Sequence, residues 1–115
     1  MAHDAELQAR IRTVLAGRPD VEEKRMVGGM SFVVGGHLCV GVKGDALLVR
    51  VGPAADEAAL AEPGVRPLQF GGKHPIGYVL VEPAAIRSDD SLRAWVDRGL
   101  AFVASQPTPR ARATR

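Results

Sequence analysis

Apolar residues recur with a helical period near both ends of the chain. The first set is Leu7, Ile11, Val14 and Leu15, and the second is Leu92, Trp95, Val96, Gly99, Phe102 and Val103. Spacings of three and four residues place each set on one side of a helix. They predict a helix from Asp4, a suitable N-cap, to Ala16, and a last helix that begins near Ser88 or Asp89 and ends at about Gln106.

The middle of the chain consists of short apolar or alternating runs of the kind that form strands. These runs predict strands at Val21–Val27, Met30–Val34, His37–Val42, Ala46–Val51, Val65–Phe70 and Ile76–Val81. Gly35-Gly36 suits a two-residue hairpin turn, because glycine readily adopts the positive φ angles that such turns need. A short Ala-rich helix, Asp56–Ala61, is expected between the fourth and fifth strands.

The order of these elements predicts the fold class. Short connections between successive strands favour an antiparallel meander. With helices at both ends, the class is α+β: an antiparallel sheet of about five to six strands with the N-terminal and C-terminal helices packed on it. We expect residues 1–106 to form this single domain and residues 107–115 to be a disordered basic tail, because the tail has no apolar periodicity.

The distribution of charge and the single cysteine limit which partners and cross-links the chain can have. The net charge of +2 depends on three arginines in the last six positions, and residues 1–109 hold twelve basic against thirteen acidic residues, a net charge of −1. Such a body has no net attraction for nucleic acid, so only the tail or a local basic patch would contact it. One cysteine, Cys39, excludes an intrachain disulfide.

The N-terminal residues and the apolar segments indicate the compartment. Asp4 and Glu6 lie where a signal peptide has a basic start and an apolar stretch. The uncharged segment Met26–Val42 is interrupted by glycines and is shorter than the roughly 20 apolar residues of a membrane span. We therefore expect a cytoplasmic protein that does not enter a membrane.

A set of short motifs follows one another in a recognisable order: Arg25-Met26-Val27-Gly28-Gly29, then Phe32, Gly36, Leu47-Leu48-Val49-Arg50, Tyr78 to Pro83, and Leu92 with Trp95-Val96. Together they resemble the N-terminal domain of the TfoX/Sxy family of bacterial competence regulators, although Val27 stands where that pattern has Phe. The resemblance extends over about Leu7 to Val103. It implies a standalone N-terminal-type domain with the family's α+β fold, whereas the regulatory role belongs to two-domain members.

His37 and Cys39 are the strongest candidates for chemistry. They lie two apart on a predicted strand, so their side chains share a face. Nucleophilic catalysis needs a third orienting group and an oxyanion site, and zinc needs three or four ligands. One cysteine and three histidines do not supply these sets. We prefer a packed thiol and a histidine on the sheet surface, and we predict no catalytic residue, metal or cofactor.

A basic patch is the alternative binding site. Arg25 and Arg50 lie on predicted strands, and Lys73 lies in the loop Gly71-Gly72-Lys73-His74, which lacks the spacing of a P-loop. These three cations would form an anion-binding patch where they converge on one face of the sheet. Ion pairs with Glu22, Glu23 or Glu82 are the competing interpretation.

These patterns favour a small, non-enzymatic domain that acts through protein interaction or as a regulatory accessory. The alternatives are an anion-binding or nucleic-acid-binding module that uses the basic patch and, less favoured, an enzyme dependent on Cys39 and His37. The expected partner is an unidentified protein. A homodimer is a further alternative, and it would form by pairing of an exposed strand at Val65–Phe70 or at Met26–Phe32.

Overall fold

The computed structural model describes residues 4–26, 29–69 and 71–107. Along the chain the elements are α1 (Ala5–Val14), β1 (Val21–Met26), β2 (Gly29–Val34), β3 (His37–Lys43), β4 (Ala46–Arg50), α2 (Asp56–Leu60), β5 (Val65–Pro67), β6 (Tyr78–Val81) and α3 (Asp89–Ala104). Short 3₁₀ turns at Pro53–Ala55 and Pro83–Ile86 precede α2 and α3. The expected tail falls almost wholly on residues 108–115, which lie outside the described residues.

Side-chain caps begin both long helices. The carboxylate of Asp4 accepts hydrogen bonds from the backbone N–H groups of Glu6 and Leu7. The hydroxyl of Ser88 accepts one from the N–H of Ser91. These bonds satisfy donors that the first helical turn leaves unpaired. In the described part of the chain, no helix combines the length and the apolar content needed to cross a membrane.

The strands form one antiparallel sheet in the order β1-β2-β3-β4-β6-β5. The first four follow one another as the predicted meander, and Gly35 and Gly36 turn between β2 and β3 with φ angles of 60° and 89°. With α1 and α3 packed on this sheet, the predicted α+β class is confirmed. β6 departs from sequence order, because it lies between β4 and β5.

Two strand boundaries differ from the sequence prediction by two or more residues, and one expected edge is not observed. β5 ends at Pro67, whose missing N–H cannot extend the ladder, and Phe70 lies outside the described residues. β6 begins at Tyr78 and not at Ile76, because Gly77 has a φ of 97° that breaks the extended backbone. β2 is an interior strand, so the edge expected at Met26–Phe32 is wrong, and the two edges are β1 and β5.

A β-bulge on β3 sets which side chains face the helices. Phe32 pairs with Val40 and Val33 pairs with Leu38, which leaves Cys39 as an extra residue on its strand. Cys39 and Val40 consequently both belong to the core between the sheet and the helices α1 and α3. The opposite face of the sheet has its own small apolar cluster, made of Ala46, Leu48, Leu68 and Leu80.

Helix α3 approaches the sheet most closely at Gly99. A Cβ atom at this position would lie 3.0 Å from the carbonyl oxygen of Cys39, 3.1 Å from its sulfur and 3.2 Å from a methyl group of Val40. Such distances are tighter than ordinary van der Waals contact, and the carbonyl is part of the β3 backbone. A larger residue at 99 would therefore have to lift the helix from the sheet.

We expect Gly99→Val to lower the free energy of unfolding by about 1–3 kcal/mol, the usual cost of overpacking a core. Ala94→Val is the matched control, because Ala94 is exposed on the same helix and the change costs only the difference in helix propensity, about 0.6 kcal/mol. Urea denaturation of the three proteins measures both effects. Equal losses in the two variants would contradict a close contact at Gly99.

Candidate functional site

The structure separates two of the three predicted patch residues, Arg25 and Arg50. Strand pairing aligns Arg25 with Leu47, and Arg50 lies three residues farther along β4. Because side chains alternate along a strand, the two arginines leave the sheet on opposite faces, and their strands are three spacings, about 14 Å, apart. Lys73 is exposed in the loop after β5. Arg25 and Arg50 thus share no patch, and Arg50 lines a cleft.

A cleft of about 370 Å³ opens where β4 ends against the C-terminal part of α3. We call it the Arg50 cleft, and its side chains come from Arg50, Pro53, Ile76, Tyr78, Phe102 and Gln106. Ile76 has 59 % of its surface exposed, and it is the one large apolar side chain with such exposure among the described residues. The cleft thus combines a cation, two aromatic rings and an accessible aliphatic group.

Aromatic contacts hold the Arg50 side chain. Its guanidinium carbon lies 5.1 Å from the ring centre of Phe102 and 5.6 Å from that of Tyr78, both within cation–π range. One amino group also approaches the Leu38 carbonyl at 3.5 Å, at the limit of a hydrogen bond. Of the ion pairs found in the described ranges, none includes Arg50. The half-buried guanidinium therefore keeps N–H donors for a ligand.

Two glycines shape the wall of the Arg50 cleft. The carbonyl of Gly77 accepts hydrogen bonds from the N–H groups of Val51 at 2.8 Å and Gly52 at 3.1 Å. A Cβ atom on Gly52 would overlap the Phe102 ring, and one on Gly77 would lie 2.9 Å from the Gly52 carbonyl carbon. Both glycines have positive φ angles, 91° and 97°. Glycine is required at these positions by space and by backbone conformation.

A buried carboxylate fixes the loop that carries Ile76. Asp56 is 7 % exposed and accepts a 2.7 Å hydrogen bond from the Gly77 N–H. Its carboxylate also lies 3.1 Å from Nε2 of His74, whose Nδ1 donates to the Leu68 carbonyl at 3.1 Å. These bonds tie the loop to the start of α2. Sequence analysis missed this pair, because the two residues are 18 positions apart and match no spacing motif.

Comparison with known proteins supports one assignment. The family model of the TfoX N-terminal domain matches residues 13–103. The chain belongs to this family. The match confirms the resemblance inferred from the order of the motifs, and two residues of those motifs, Arg50 and Tyr78, meet in the cleft. No curated protein sequence and no solved structure matches the chain.

In this TfoX N-terminal domain, Cys39 is packed as a core residue. Its surface is 0 % exposed, and burial raises the pKa of the thiol to about 12, against smaller lowering effects of Arg18 and Arg50. Nε2 of His37 instead donates to the Pro107 carbonyl at 2.6 Å. The thiol therefore stays protonated at neutral pH, and a thiol is a far weaker nucleophile than a thiolate.

The raised pKa of Cys39 predicts a pH-dependent stability. The unfolded thiol loses its proton near pH 9 and the folded thiol near pH 12, so this contribution is complete below pH 9 and is lost as the pH rises toward 12. Between pH 8 and about pH 10.5, wild type should lose about 2 kcal/mol more of its unfolding free energy than Cys39→Ala loses. Urea titrations at each pH measure the difference, and parallel curves for the two proteins would contradict it.

Proposed function

We propose that this TfoX N-terminal domain acts by binding a partner protein, as an interaction module or regulatory accessory, and not by catalysis. The Arg50 cleft is the observation that carries the proposal. It presents a half-buried arginine that has no carboxylate partner among the ion pairs of the described residues, next to the exposed side chain of Ile76. Arginine and aromatic residues are enriched where proteins bind one another.

The state of the reactive groups supports binding over catalysis. The Cys39 thiol is buried and has a raised pKa. The hydrogen bonds described for Asp56 and His74 connect them to backbone groups and to each other, and no hydroxyl or thiol takes part in them. Both side chains therefore have a structural role, because these bonds hold the loop in place.

Binding of nucleic acid through a basic patch is the weaker alternative. Polyanion binding draws its affinity from several phosphate contacts at once. Arg25 and Arg50 lie on opposite faces of the sheet, and residues 1–109 have a net charge of −1. As part of the proposal, we assign the domain to the cytoplasm and, on the strength of the family, to an accessory role in transcription or competence.

A second copy of the chain is another candidate partner. β5 is an exposed edge, as the sequence predicts for Val65, but it is three residues long and ends in proline. β1, with six residues, offers the longer edge for pairing across a two-fold axis. We expect sedimentation velocity at tens of micromolar, roughly the range of moderate affinities, to show a dimer. A monomer at that concentration would contradict pairing.

The binding function is tested by capture from a lysate of the organism that encodes the protein. Wild type, Arg50→Gln and Arg25→Gln are immobilised, and the captured proteins are quantified. Arg25 is the matched control, because it is an exposed strand arginine on the opposite face of the sheet. We expect a partner that wild type and Arg25→Gln enrich equally and that Arg50→Gln loses about tenfold, since hydrogen bonds to a charged group contribute about 1.5–3 kcal/mol.

Two results would contradict this proposal. In the first, Arg50→Gln captures the same proteins in the same amounts as wild type. In the second, purified wild type captures no specific protein and instead turns over a substrate. Thermal unfolding of the three proteins, followed by circular dichroism, establishes that any loss of binding in Arg50→Gln occurs in a folded domain.

A further inference from the structure

We propose that the Arg50 cleft binds a carboxylate of an acidic peptide segment, with an apolar side chain of the same segment resting on Ile76. This inference depends on the proposed function, because it names the chemistry of the partner at the same cleft.

The environment of Arg50 selects a carboxylate. Contacts with the rings of Phe102 and Tyr78 hold the guanidinium in place. Because the guanidinium is planar and rigid, the directions of its remaining N–H groups are fixed as well. A carboxylate matches two parallel N–H donors of a guanidinium. Because the side chain is already held and half-buried, less conformational entropy is lost on binding, and the charge interaction is screened less than at an exposed arginine.

The charges around the cleft favour a single anionic group over a polyanion. The nearby Arg18 lies 3.6 Å from the carboxylate of Asp20, and Nε2 of His37 is bonded to a carbonyl. Asp20 therefore offsets the charge of Arg18, whereas Arg50 has no ion pair among the described residues. A row of phosphates from nucleic acid would meet one uncompensated arginine here, because the Asp20 carboxylate offsets the charge of Arg18.

The size and apolar content of the cleft favour a peptide over a free small acid. A volume of about 370 Å³ lies at the small end of ligand pockets and fits one or two side chains. Ile76 is 59 % exposed, and a partner that covers it removes apolar surface from water. A segment with an acidic residue next to an aliphatic one satisfies both features.

The test is a titration followed by two-dimensional ¹H–¹⁵N NMR. The probe is the acetylated and amidated peptide Gly-Ser-Gly-Glu-Leu-Gly-Ser, compared with the peptide that has Gln for Glu. We expect the Glu peptide to shift the backbone amide signals of Gly52 and Gly77, with a dissociation constant of about a millimolar, as a single ion pair and one apolar contact allow. The Gln peptide should bind at least about tenfold more weakly.

Protein variants locate the contact. Arg50→Gln should weaken binding of the Glu peptide about tenfold, Arg50→Lys should fall between, because it retains charge but not the paired donors, and Arg25→Gln should bind as wild type. If Arg50→Gln does not fold, as its NMR spectrum would show, the comparison of the two peptides on wild-type protein tests the same interaction.

Three results would overturn the inference. In the first, the Glu and Gln peptides bind equally. In the second, sodium acetate shifts the same amides at the same concentration, which would assign the cleft to a small carboxylic acid. In the third, a single-stranded DNA oligonucleotide binds more tightly than the peptide, with steep salt dependence. If lysate capture depends on Arg50 while the peptide fails, only this inference falls. If neither depends on Arg50, the proposed function falls too.

Discussion

The contact between Gly99 of α3 and the bulged residue Cys39 of β3 positions the end of the molecule that holds the cleft. The bulge turns Cys39 toward the helices, and a residue without a side chain lets α3 lie directly on that strand. Phe102 follows three residues later and so lies on the same side of the helix. It comes to rest over Gly52 and beside Arg50 because the helix is this close to the sheet. A helix held farther out would leave the guanidinium without its aromatic neighbour.

The same contact explains why the one cysteine is unsuited to chemistry. The Cys39 thiol packs between α3 and the sheet and is removed from water, and burial raises its pKa to about 12. The packing of Cys39 therefore lowers its reactivity, since a reactive thiolate needs solvent or a compensating positive charge. Arg18 and Arg50 lower the pKa, but their effect is smaller than that of burial. At this end of the molecule, Arg50 is half-buried between two aromatic rings and has no ion pair among the described residues.

Sequence predicted the parts of the fold that depend on near neighbours. The cap Asp4, the glycine hairpin and the meander follow from local spacing and are observed, and of the two expected caps for α3, Ser88 and Asp89, the structure has Ser88. The bulge escaped prediction because β3 is apolar at consecutive positions, so no break in a polar–apolar alternation reveals which residue is extra. The pairing of Asp56 with His74 escaped it because folding, and not spacing, brings two distant segments together. The position of β6 between β4 and β5 likewise depends on pairing between strands that are distant in sequence, which local spacing does not reveal.

The two arginines on strands, Arg25 and Arg50, show that residue type alone does not identify a binding site. Arg25 and Arg50 look alike in the sequence, because each lies near the end of a predicted strand. Strand register sends them to opposite faces, and only Arg50 meets Phe102 and Tyr78 in a half-buried position. An exposed arginine on an edge strand is already well solvated, so an ion pair there contributes little. A guanidinium held between protein groups gains more from a carboxylate, because part of its hydration and mobility is lost before the ligand arrives. The candidate site is thus a property of the neighbours that the fold supplies to one arginine.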